Sequence, residues 1–160
     1  MREADARGLA PQSEDDRIPL LDLTYPQLSA VMTEWGEPAF RTNQLWEWIY
    51  RRLAADFDEM TSLPARLRAR LAAETILHPH QVLEEVTSRD GQTRKSLLRL
   101  SDGETVECVL MRYERRRTAC ISTQVGCPIR CTFCATGQAG LRRNLTAAEI
   151  VSQALLVARQ

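Results

Sequence analysis

Residues 126–137 read GCPIRCTFCATG, with Cys127, Cys131 and Cys134 spaced C-x3-C-x2-C. Three thiols within eight residues converge on one point only if the loop wraps around something. A structural zinc site wants four closed ligands. Cys120 is the one nearby thiol that offers a fourth, because both histidines, His78 and His80, lie far upstream. Zinc knuckles also usually pair two C-x2-C turns, and there is one here. A cubane 4Fe-4S cluster needs only three protein thiolates and leaves its fourth iron open. An open iron can chelate S-adenosylmethionine by its amino and carboxylate groups, and reduction there makes a radical. Phe133, the aromatic residue just before the last cysteine, belongs to the same pattern and is read as cofactor-binding. The alternative from another class is a zinc-stabilised nucleic-acid-binding module without catalysis.

The elements on either side of the loop set its context. Beyond it, Thr146 and Glu149 form a T-x-x-E capping box, opening a helix expected to bury Ile150, Val151, Ala154, Leu155 and Ala158. Before it, the pattern has period 2: QVLEEVTS, TRKSLLRL, TVECVLMRYE and RRTACISTQ predict an antiparallel meander whose last strand runs straight into the cysteine loop. The two early turns carry Asp90-Gly91 and Asp102-Gly103, a strong hairpin signal. Strand, ligand loop and helix together read as the opening unit of a β/α architecture.

Upstream of His78 the period is 3.6. Thr24, Pro26 and Gly36 bound a first helix whose stripe is Leu28, Val31, Met32 and Trp35. A second, near 41–54, carries Trp46, Ile49, Tyr50 and Leu53, and a third starts after Ser62 with Leu63, Leu67 and Leu71. These predict a small helical bundle with the tryptophans in its core and the arginines mostly on a solvated face.

Composition bounds the function. The 160 residues are 44% apolar, enough for a core, and the formal net charge is zero, so a nucleic-acid partner must meet a local patch. The basic concentration near the loop is Arg112, Arg115, Arg116 and Arg117 with Arg142 and Arg143; it reads equally as a phosphate contact or a solvated face. No stretch approaches a membrane span and the polar start lacks a signal-peptide core. Five cysteines, three of them in one loop, point to reduced thiols in a cytoplasmic protein. Taken alone, Glu107 reads as an exposed strand carboxylate, and Cys108 and Cys120 as small buried apolar residues.

The run TACISTQVGCPIRCTFCATGQAGLRRNLTAAEIVSQ, with LLDL, GEPAFRTNQLWEWIY and FDEMTSLP upstream, resembles the radical S-adenosylmethionine adenine-C2 RNA methyltransferases, the RlmN family and its relative Cfr. The resemblance covers about residues 18–160. It implies a dual-specificity enzyme that methylates C2 of one adenine in 23S rRNA and of another in tRNA, with S-adenosylmethionine, a 4Fe-4S cluster and a reducing electron donor such as flavodoxin. It implies that Cys127, Cys131 and Cys134 are the cluster ligands. Cys120 corresponds to the cysteine that resolves a covalent protein–RNA adduct through a transient disulfide, and Glu107 to the proton acceptor. The need is chemical: C2 of adenine is not nucleophilic, so a methyl carried on an enzyme cysteine is activated as a radical, and the adduct then requires a base and a thiol.

The implied fold class is α+β leading into α/β. Residues 1–17 are a flexible tail, 18–78 a helical accessory domain, 79–114 the β meander, and 115–160 the start of a TIM-like radical S-adenosylmethionine core. No cysteine follows Cys134 to carry methyl, and the polar strand ends that hold the rest of S-adenosylmethionine are absent. The sequence is therefore expected to be the N-terminal portion of a monomeric enzyme, with a partial barrel and no activity by itself.

Overall fold

The computed structural model describes residues 17–160, so the tail expected over 1–17 lies, but for Arg17, outside the described residues. The chain opens with β1 (Ile18–Pro19), which pairs in parallel with β2 (Thr75–Ile76) and so brings together the two ends of a helical unit. Between them, a single 3-10 turn at Leu20–Asp22 leads into α1 (Tyr25–Glu34), α2 (Ala39–Tyr50) and α3 (Ala65–Glu74). Thr24 and Gln27 cap α1, with Gln27 Oε1 accepting the Thr24 N–H at 2.8 Å. The core of the unit is Leu28, Met32, Leu45, Ile49, Leu67 and Leu71, each no more than 2% exposed. Burying six such side chains supplies on the order of 10 kcal/mol of gross hydrophobic stabilisation.

The second helix departs from expectation. It ends at Tyr50, so Leu53 falls beyond it with φ 56°, and its buried face is Thr42, Leu45 and Ile49. Trp35, Trp46 and Trp48 are half-buried at the rim of the core. Arg70 covers Trp35 and Arg52 covers Trp48, while the Trp48 indole donates to Ser62 Oγ at 2.8 Å. Arginines stacked on those rings keep the indoles at the boundary between core and solvent.

The meander is a four-stranded antiparallel sheet in the order β3 (His80–Thr87), β4 (Thr93–Leu100), β5 (Thr105–Tyr113), β6 (Arg116–Cys120). Its inner face, Ser96, Leu98, Leu100, Val106, Cys108 and Leu110, is buried. Gly103, at φ 84°, makes the β4–β5 turn, and Asp102 Oδ1 accepts the Glu104 N–H across it at 3.0 Å.

The last strand does not run straight into the cysteine loop. The ladder ends at Cys120, and β7 (Gln124–Gly126) belongs to a different sheet, paired antiparallel with β8 (Leu141–Asn144). The cause is Gln153, fully buried: its Oε1 accepts the Ser122 N–H at 2.9 Å and its Nε2 donates to the Ser122 carbonyl at 3.0 Å. Those backbone groups are thereby withdrawn from any strand ladder. No apolar alternation in LRRN announces β8.

Helix α5 (Ala147–Arg159) is a wedge between the two cores. Ala148 and Leu155 join the helical core, and Val157 joins the core under the meander. Hence its burial differs from a single amphipathic stripe: Ala154 and Ala158 are exposed, Ile150 and Val151 half-buried, and Glu149, Ser152 and Gln153 buried. Asp22 Oδ1 accepts the Ala148 N–H at 2.6 Å, and Arg159 donates to the carbonyls of Leu53 and Ala54 at 2.9 and 2.8 Å. Both ends of α5 are thus bonded to the helical unit.

His78 and His80 sit where that unit meets the meander. His78 Nε2 lies 3.0 Å from the Ala54 carbonyl, and His80 Nδ1 lies 2.9 Å from Ser152 Oγ on α5. Burial, then His78 and Arg159, pushes His80 down to about 4 from 6.5. Its folded form therefore binds fewer protons than its unfolded form between those values. The stability it contributes is full above pH 6.5 and is lost as pH falls toward 4. Urea midpoints should drop between pH 7 and pH 5, and His80→Gln, which keeps a partner for Ser152, should remove much of that drop; equal slopes in the two proteins would contradict this.

Candidate cofactor site on the cysteine hairpin

The cysteine loop is the connection of a hairpin whose stem is β7 and β8, paired Gln124↔Asn144, Val125↔Arg143 and Gly126↔Leu141. The stem is closed at its base by Leu145 N–H to Thr123 C=O at 2.9 Å and by Gln124 Nε2 to Asn144 Oδ1 at 2.7 Å. At its upper end the two arms nearly touch. Gly126, at φ 76°, lies so close that a Cβ there would sit 1.8 Å from the Gly140 carbonyl oxygen. One residue on, the Cys127 N–H donates to that same oxygen at 3.2 Å. The first cysteine is therefore fixed by the exit of its own loop.

Inside the loop the bonds are local. Cys134 N–H donates to Cys131 C=O at 3.1 Å, and Cys134 then caps α4 (Ala135–Gln138). Gln138 Nε2 reaches back to the Thr132 carbonyl at 2.7 Å. Gly137 packs on the Cys131 backbone, where an added Cβ would approach the amide nitrogen to 3.0 Å. Arg130 takes the left-handed conformation at φ 53°, and its guanidinium lies over Gly140.

Cys127, Cys131 and Cys134 are half-buried free thiols. Among the described residues, no three His, Cys, Asp or Glu side chains are already gathered as a metal cage. The donor set nevertheless suits a group that takes three thiolates. His78 and His80 are engaged elsewhere, and Cys120 lies exposed on β6, in another sheet. The loop also turns large apolar side chains outward: Ile129 is 72% and Phe133 90% exposed.

Glu107 and Cys120 share the outer face of the meander. Val109 pairs with Cys120 on one side and Lys95 on the other, and Glu107 lies two residues before Val109 on the same strand. In ordinary sheet geometry the diagonal pair Glu107 and Cys120 is then about 7–8 Å apart. Lys95, which the sequence did not single out, holds the Glu107 carboxylate at 3.0 Å, and the Glu107 carbonyl accepts from Ser122 Oγ at 2.8 Å. Cys108 points the other way, into the core, where burial pushes its thiol up.

The six arginines do not form one patch. Arg112 donates to the Gln160 carbonyl at 2.9 Å, and Arg142 pairs with Glu104. Arg143 donates to Asp102 at 2.6 Å and to both oxygens of Glu149 at 2.8 Å; the Arg143 hydrogen bond chiefly holds the Asp102 carboxyl below its usual range. Arg115, Arg116 and Arg117 remain exposed at the β5–β6 turn, with Arg116 4.6 Å from the centre of the Tyr113 ring.

The class of protein to which this arrangement is similar is that of the radical S-adenosylmethionine methyltransferases. The backbone matches the crystal structure of a radical SAM methyltransferase from Sphaerobacter thermophilus with a TM-score of 0.85 at 48% identity, over 89% of this chain and 42% of that one. Residues 18–77 match the family model described as the ribosomal RNA large subunit methyltransferase N-terminal domain. The chain is 46% identical over 151 residues to the probable dual-specificity RNA methyltransferase RlmN of Chlorobaculum tepidum, covering 90% of itself and 40% of that relative. With dual-specificity RNA methyltransferase RlmN 1 of Myxococcus xanthus it shares 49% over 145 residues, covering 91% and 40%. Along about nine tenths of its own length the chain is similar to RlmN proteins. It spans about two fifths of the length of the curated relatives it matches.

Gly126→Ala places a methyl group inside the van der Waals radius of a backbone oxygen, so the hairpin stem must part. It should destabilise the chain by more than about 2 kcal/mol. Gly103→Ala, where a Cβ meets nothing within 4 Å, is strained by its φ alone and should cost about 1 kcal/mol. Denaturant titrations of both variants check the ranking.

Proposed function

We propose that this chain forms the cluster-binding loop and one wall of the active site in an enzyme that methylates C2 of an adenine in 23S rRNA and in tRNA. The observation that carries the reading is a loop with three free thiols, Cys120 lying in a different sheet, within a chain that matches RlmN relatives at nearly half identity. In this reading Cys127, Cys131 and Cys134 hold a 4Fe-4S cluster, and Phe133 lies beside the cofactor. When bound, the cluster supplies the electron that turns S-adenosylmethionine into a radical source. Residues 115–160 begin a TIM-like core, 79–114 form the meander, and 18–78 form an accessory domain that helps grip RNA.

The chain's own residues act on the base. An adenine laid against the outer face of the meander meets Glu107 and Cys120 together. Glu107, oriented by Lys95, accepts the C2 proton at a carboxylate oxygen. The Cys120 thiolate attacks the sulfur that links the methylated base to a cysteine elsewhere in the enzyme. A disulfide forms between the two cysteines, the carbon–sulfur bond breaks with its electron pair on carbon, and protonation of that carbon completes the methyl group as the base is released; an external thiol reductant then reduces the disulfide back to two thiols. The base must leave its stack to reach these groups, and the exposed arginines 115–117 offer contacts for the surrounding phosphates. Partners are thus the two RNAs and a low-potential donor such as flavodoxin, and the setting is the cytoplasm of a monomeric enzyme.

The test joins this chain to the remaining portion of an RlmN relative and supplies S-adenosylmethionine, a reductant and unmodified ribosomal RNA. The joined protein should form 2-methyladenine, and Cys120→Ala should instead accumulate a covalent protein–RNA species stable to denaturation. The 160-residue chain alone should form no product. Normal turnover by Cys120→Ala would remove that residue from the mechanism.

A further inference from the structure

We propose that Arg143 is a positioning residue: it ties the stem of the cysteine hairpin to the Asp102–Gly103 turn of the meander and to the first turn of α5. It thereby registers the cysteine loop against the face that carries Glu107 and Cys120. This rests on the reading of that loop as the cluster site.

The bonds inside the loop are local, so its stance relative to the meander is set at the stem. Arg143 stands in the stem opposite Val125, the residue before Gly126 and two before Cys127. Its guanidinium is spread over two elements. Nε donates to Asp102 Oδ2 at 2.6 Å, while Nη1 and Nη2 donate to Glu149 Oε2 and Oε1 at 2.8 Å each. Nη1 also reaches the Asn144 carbonyl at 3.2 Å. Glu149 is only 5% exposed at its side chain, and its Oε2 accepts the Thr146 N–H at 2.8 Å. A buried carboxylate thus fixes the guanidinium plane from one side, and the meander turn takes its remaining edge.

That division of donors needs arginine. A planar fork can serve two carboxylates in fixed directions, whereas an ammonium is a point charge that can neutralise Glu149 without spanning to Asp102. A neighbouring pair, Arg142 with Glu104, bridges the same two segments, but the Arg142 side chain is 62% exposed and its bond competes with water. Groups that orient metal ligands from behind tune the metal as well as hold it.

The experiment uses the 160-residue chain, with Arg143→Gln, Arg143→Lys and Asp102→Asn as variants. In the apo proteins, amide exchange is read over residues 124–127 and 141–144. Arg143→Gln and Asp102→Asn should exchange there at least about tenfold faster than wild type, with α1 to α3 unchanged. After anaerobic reconstitution, both should lose cluster to a chelator faster and show an altered electron paramagnetic resonance line in the reduced state. Arg143→Lys should recover the wild-type melting temperature, because it still neutralises Glu149, but not the wild-type resonance line. Wild-type exchange in Asp102→Asn and Arg143→Gln, or full recovery of the line in Arg143→Lys, would overturn the proposal. If wild type takes up no iron, the cluster reading fails, and the apo exchange rates alone decide whether the clamp exists.

Discussion

The carboxylate of Glu149 is almost completely buried, and much of the chain is arranged to accommodate it. A lone buried carboxylate costs several kcal/mol. Here it is met by the Arg143 fork and by the Thr146 N–H of its own capping box, so the charge is satisfied on both oxygens. Meeting that demand brings three distant segments together: the β4–β5 turn through Asp102, the stem of the cysteine hairpin through Arg143, and the start of α5. Removing one partner strands the others, which makes this network more consequential than its surface ion pairs.

From that point α5 distributes the constraint. Its N-terminal turn is capped by Asp22 of the helical unit, its middle holds Ser122 through Gln153 and His80 through Ser152, and its end grips the loop after α2 through Arg159. Apolar contacts to two separate cores accompany these bonds. One helix therefore fixes the meander relative to the helical unit, and it ends β6 just after Cys120. The result is a division between a sheet held by α5, which carries Glu107 and Cys120, and a cysteine loop whose hydrogen bonds are mainly within its own hairpin.

What could be read from the sequence follows the range of the interactions. Period, caps and turn residues are local, so α1, α3, the meander strands and the Thr146–Glu149 box were all legible. The break at Ile121–Thr123 was not, because it comes from a glutamine that lies 31 residues away along the chain. Strand β8 was hidden for a related reason: LRRN is held by ion pairs and backbone pairing, with no apolar alternation. The burial of α5 was misread at Ala154 and Ala158, since a helix between two cores has no single stripe. Among site residues, the three clustered cysteines stood out by spacing. Lys95 gave no signal, because its partner comes from another strand, and Arg143 was legible only as one of a basic concentration that divides in the fold, where Arg112, Arg142 and Arg143 are each paired.

The central claim is that Cys127, Cys131 and Cys134 suffice as the ligands of an iron–sulfur cluster. The most direct measurement is metal and sulfide analysis of the anaerobically reconstituted chain, beside a variant with all three cysteines replaced by alanine. About four irons and four sulfides per chain are expected, with none in the variant and little change on Cys120→Ala. Stoichiometric zinc that depends on Cys120, with no iron or sulfide, would contradict the claim and make the loop a four-ligand structural site.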